Sequence, residues 1–118
     1  MSKFICINEN GGWSGPTGIF ECIVEETRKL FTDGEQKYVQ EIYQSLDEQF
    51  QSFIVLDYVD ETCFNLFYNH CKKAMDRFPD SERGSKIREK PVMPLILQNW
   101  AELLRIMRDD PRYRTEKK

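Results

Sequence analysis

At 118 residues, with 31% charged and 40% hydrophobic residues and a net charge of −3, the chain has the dimensions of one globular domain over 1–118. No stretch approaches the roughly 20 apolar residues of a membrane helix, which excludes a membrane-spanning role. The N-terminus turns polar too soon for an export signal, so the expectation is a cytoplasmic protein. Three of the four cysteines, Cys22, Cys63 and Cys71, fall on apolar helical faces. Without export they are expected to be reduced and buried.

Residues 3–7, Lys-Phe-Ile-Cys-Ile, open the chain as a short strand or a packed arm. Residues 10–18 hold four glycines and a proline and read as a surface loop, with Trp13 either packed on the core or offered to a partner. Ile19, Phe20, Ile23, Val24, Leu30 and Phe31 then recur at helical spacing. Asp33-Gly34 ends that helix, and Thr32 to Glu35 fits a capping box that starts the next. The second helix places Tyr38, Val39, Ile42, Tyr43, Leu46, Phe50 and Phe53 on one face, with an antiparallel hairpin expected between the two.

Residues 53–59 are rich in β-branched and aromatic side chains, and strand and buried helix both remain open there. Asp57 and Asp60 are both suited to cap the third helix. That helix spans 60–78, with Phe64, Phe67, Tyr68, Cys71, Met75 and Phe78 inward, and Pro79 stops it. Residues 79–94 form a long basic loop with room for one helical turn. A fourth helix begins near Pro94, buries Ile96, Leu97, Trp100, Leu103, Leu104 and Met107, and ends before Pro111. Residues 112–118 read as a charged, frayed tail. The fold class is mainly α, a compact four-helix arrangement, leaving open a minor two-stranded β element from 3–7 and 53–59.

The motifs that would carry chemistry fail on spacing. The glycines at 11, 12, 15 and 18 match neither a phosphate loop, which needs a Lys after the last Gly, nor a dinucleotide fingerprint. Pro16 occupies the last glycine of a nucleophile elbow. His70 and Cys71 are adjacent, so on a helix they point about 100° apart and do not form a nucleophile–base pair. The carboxylate clusters are explained by helix caps and solvated faces. No enzyme, metal or cofactor is expected.

What remains is charge. Residues 1–62 hold twelve carboxylates against four bases, a balance of −8, and residues 63–118 hold thirteen bases against eight carboxylates, a balance of +5. Such a split points to a charged partner, unless the two halves neutralise each other within the fold. An acidic surface suits a protein that neutralises a basic nuclease, because a surface built for phosphate is positive.

In size, helical content, acidic first half and want of a catalytic motif, the chain resembles the bacterial immunity proteins of contact-dependent growth inhibition. The resemblance implies binding to one cognate toxin domain, often an RNase or DNase, and occlusion of its active site. The residues expected to meet a basic toxin surface are Glu21, Glu25, Glu41, Glu48, Asp57, Asp60 and Glu61, with Trp13 or Tyr58 as an aromatic anchor. The alternative is a nucleic-acid-associated regulator using the basic 83–90 loop and the tail, which the acidic pI of about 5.2 disfavours. An enzyme built on His70 and a carboxylate is a third reading.

Overall fold

The chain opens with a hairpin. In the computed structural model, which describes residues 2–47 and 53–114, strand β1 (Ser2–Asn8) turns at Glu9-Asn10 into strand β2 (Gly11–Pro16). The two pair antiparallel, Ile5 opposite Trp13 and Phe4 opposite Ser14. Gly11 takes φ +138°, which a side chain would disfavour. Helix α1 (Thr17–Arg28) follows directly, then a 3₁₀ turn at Asp33–Glu35 and helix α2 (Gln36–Asp47). Strand β3 (Phe53–Val55) lies parallel to β1 on its other side, giving the order β2-β1-β3. Helix α3 (Glu61–Arg77), the one-turn helix α4 (Glu82–Ser85) and helix α5 (Val92–Arg108) complete the described chain.

The result is mainly helical with a small sheet. Two local signals behave as expected. Thr32 and Glu35 form the capping box, the Glu35 carboxylate accepting from the Thr32 N–H at 2.9 Å. Asp60 caps α3 by accepting from the Cys63 N–H at 2.8 Å.

Other expectations need correction. The glycine-rich segment is a strand, not a loop. Its glycines allow close backbone approach: a Cβ on Gly12 would run into the Ile5 carbonyl oxygen. The sheet therefore has three strands rather than two, and its third covers 53–55 only. Phe53 lies in that strand and not on a helix face. Phe50 and the junction around it lie outside the described residues. The first two helices do not form a simple hairpin either. α1 packs chiefly on α3, while α2 lies against β3. Tyr43 links α2 to α1: its buried hydroxyl donates to the Val24 carbonyl at 2.7 Å, and Arg28 lies over its ring.

The core runs between the sheet and the helices. Ile5, Ile7 and Trp13 face inward from the sheet and meet Phe20 and Ile23 of α1, Phe64, Phe67 and Cys71 of α3, and Trp100, Leu103 and Met107 of α5. Burying a side chain of this size contributes roughly 1.5–3 kcal/mol. The Trp100 indole N–H is satisfied by the Cys71 carbonyl at 3.1 Å.

Residues 112–114, read from sequence as the start of a tail, are tied to the body. The Arg112 guanidinium bridges both oxygens of Asp110 at 2.9 and 3.0 Å and donates to the carbonyls of Ile7, Leu56 and Val59 at 2.6–2.8 Å. It also lies over the Phe64 ring. Tyr113 packs edge-on against Tyr68. Residues 115–118 lie outside the described chain.

Candidate partner-binding site

Five of the seven predicted acids separate into two groups. Glu21 meets Lys3 at 3.8 Å, Glu25 meets Arg83 at 2.6 Å and Glu61 meets Arg114 at 3.1 Å. The last two pairs join the acidic half of the chain to the basic half, so part of the split is neutralised internally. All six side chains are partly or largely solvent-exposed, where such pairs contribute at most about 1 kcal/mol. We therefore expect Glu61→Ala to lower stability by less than about 1 kcal/mol in urea unfolding.

The second group sits around Tyr58. Among the described residues, the carboxylates of Glu9, Glu41 and Asp57 have no cation within 4 Å, and all three residues are exposed. Glu9 and Asp57 line one cleft of about 430 Å³, together with Asn8, Val59, Pro111 and the Asp110–Arg112 pair. Tyr58, 54% exposed, donates its hydroxyl to the Glu41 backbone carbonyl and so ties the β3–α3 loop to α2. Burial, followed by the charges of Glu41 and Asp57, pushes its phenol pKa up. Burial, with the Glu41 carboxylate close by, also pushes the Cys63 thiol up to about 12.

Of the aromatic anchors considered, Tyr58 is at the surface and Trp13 is not. Trp13 is 3% exposed because β2 turns it inward opposite Ile5. It is a core residue, which corrects its place among the contact candidates. Asp60 is committed to capping α3. Glu48 lies outside the described residues. Glu9 was missed from sequence, because what brings it to the cleft of Asp57 is the parallel pairing of β1 with β3 about fifty residues away.

The floor of the cleft is rigid. The Asp110 side chain is 2% exposed. It accepts from Arg112 and from the Asn8 side-chain amide at 2.7 Å, and these bonds, Arg112 first, hold its pKa down at about 2 against an ordinary 3.8. A depressed carboxylate stabilises the fold above its unfolded pKa, and that contribution is lost as the group protonates. At neutral pH it is worth about 2 kcal/mol. Stability in urea is expected to hold above pH 4 and to fall between pH 4 and 2, and the Asp110→Asn variant should show a shallower acid limb.

Two candidates for chemistry, His70 and Cys71, are packed into the fold. His70 Nε2 meets Glu35 at 3.0 Å and its ring packs on Phe31. Among the described residues its buried Nδ1 has no hydrogen-bond partner, and neither His70 nor Glu35 lines the cleft shared by Glu9 and Asp57. Burial pushes the Cys71 thiol up to about 11. Cys6 and Cys22 are also raised, with burial the largest cause. Raised thiol pKa values favour the neutral thiol, the less reactive form. The described residues hold no metal-ligating group of His, Cys, Asp and Glu, and no described helix is long and apolar enough to cross a membrane.

No protein-family model and no curated protein matches this sequence. A solved structure does share its fold, at a TM-score of 0.71 and 20% identity, over 93% of this chain and 97% of the other. That structure is the CdiA-CT toxin from Burkholderia pseudomallei in complex with its cognate CdiI immunity protein, and the resemblance is to the immunity protein.

Proposed function

We propose that this chain is an immunity protein that binds one cognate toxin domain and covers its active site. The shared fold carries this reading, since the similar protein is solved bound to its toxin. The surface around Tyr58 supplies the chemistry. Among the described residues, no cation lies within 4 Å of the Glu9, Glu41 and Asp57 carboxylates, which supports their charge being available to a partner. A concentrated negative field attracts a basic surface and speeds encounter. The toxin that fits is a basic one, and a nuclease is basic where it holds phosphate.

The test is binding to the toxin domain encoded beside this chain, purified in an inactivated form. Charge reversal at Glu41 together with Asp57 is expected to weaken binding by about 2–5 kcal/mol if both charges are desolvated in the complex. Reversal at Glu21 and Glu25 should change it little. Unchanged affinity for the Glu41/Asp57 variant would remove the acidic surface from the account.

A further inference from the structure

The outer face of the sheet is apolar where solvent is expected. Along β1, Ile5 and Ile7 are fully buried while Phe4 is 43% exposed and Cys6 half-buried. Along β3, Ile54 is buried between half-buried Phe53 and Val55. The parallel register sets Phe4 beside Phe53 and Cys6 beside Val55. The two phenylalanine rings stack with centroids 4.8 Å apart and planes within 7°. On the other side of β1 the outward neighbours are Ser14 and Gly12, too small to cover the stack.

This apolar strip runs into the acids. Asp57 follows Val55 by two residues and its charge reaches Cys6. Glu9 shares the cleft with Asp57, and the Tyr58 hydroxyl, next in sequence to Asp57, bonds the backbone carbonyl of exposed Glu41. An apolar centre with a charged rim is the anatomy of a protein interface.

We propose that this outer sheet face, with Phe4, Phe53 and Val55 at its centre and Glu9, Asp57 and Glu41 at its rim, is where the partner docks, and that the partner presents an apolar side chain flanked by cations. The inference rests on the immunity reading and adds the surface and the chemistry of its occupant. The rim selects among occupants. Two copies of this chain meeting face to face would oppose like charges, and a nucleic acid would be repelled by the same carboxylates. A basic protein surface is complementary to both parts.

The experiment is hydrogen exchange and binding with the full chain and the inactivated toxin domain encoded beside it. Complex formation should slow exchange in residues 2–8 and 53–58. Phe4→Ser should weaken binding about ten-fold or more, chiefly through faster dissociation, with circular dichroism confirming the fold. Val55→Lys is the second variant, placing a cation on the strip without touching the stacked rings, and it should weaken binding similarly. A tight complex whose protection lies elsewhere, with both variants binding as the parent does, would overturn this docking surface and leave the immunity reading intact. No complex with the parent chain would overturn both. Sedimentation of the free chain as a dimer that Val55→Lys dissolves would assign the face to self-association and overturn the proposal.

Discussion

Replacing Arg112 with alanine is expected to lower stability by about 3–5 kcal/mol, the largest loss of any surface-connected substitution in this protein. Its guanidinium makes five hydrogen bonds within 3.0 Å, two to Asp110 and three to backbone carbonyls of Ile7, Leu56 and Val59. Those carbonyls belong to the end of β1 and to the β3–α3 loop. Removing the side chain takes its cation from buried Asp110, which keeps the Asn8 amide and the residue-112 backbone N–H as donors, and withdraws a donor from the carbonyls of Ile7, Leu56 and Val59; each buried group left unsatisfied costs about 1–3 kcal/mol. Since small domains are stable by only about 5–15 kcal/mol, the thermal midpoint should fall by roughly 10–20 °C. Arg112→Lys keeps the charge without the planar fork and should recover only part of the loss. A fall below about 1 kcal/mol in urea unfolding would show that the C-terminal segment does not hold the sheet end.

The second large effect is expected at Gly84. It lies in the one-turn helix α4, folded back on the end of α3, where a Cβ would enter the Phe78 carbonyl group. The obstacle is backbone, so no rotamer change relieves it. The α3–α4 turn has to open, and the Ser81 cap, which accepts from the Gly84 N–H at 2.9 Å, moves with it. Overpacking of this kind costs about 1–3 kcal/mol, and the cap adds about 1 more. Gly84→Ala is therefore expected to lower stability by about 2–4 kcal/mol in chemical denaturation. Gly34→Ala, with open space at its Cβ, should stay within about 1 kcal/mol of the parent.

The helices were legible because each carries its own signal. An apolar stripe, Asp60 as cap, Pro79 as stop and the Thr32–Glu35 box are local, and local chemistry decided them. The β element was only partly legible. β3 is only three residues long and is held by a parallel partner about fifty residues away, which no window of sequence displays. The glycine segment misled because glycine in a strand and glycine in a loop look alike until the opposing backbone is known. Asn10-Gly11, directly after the apolar run Phe4–Ile7, was a hairpin signal, although the turn itself falls at Glu9-Asn10.

For the site, the acidic bias was visible and its distribution was not. Glu25 and Glu61 find their cations at Arg83 and Arg114, 58 and 53 positions away in sequence. Sequence distance hides such pairs, so the free acids emerge only after the bound ones are subtracted. Arg112 carried no signal at all, because its role depends on three carbonyls from separate parts of the chain.

Neutralisation in cells tests the central claim most directly. The active toxin domain encoded beside this chain would be induced in a host that lacks it, with and without the chain. Growth restored by the parent chain, and lost again with the folded Glu41→Lys/Asp57→Lys variant, is the predicted result. Arrest that persists with the parent chain present and soluble would contradict the account.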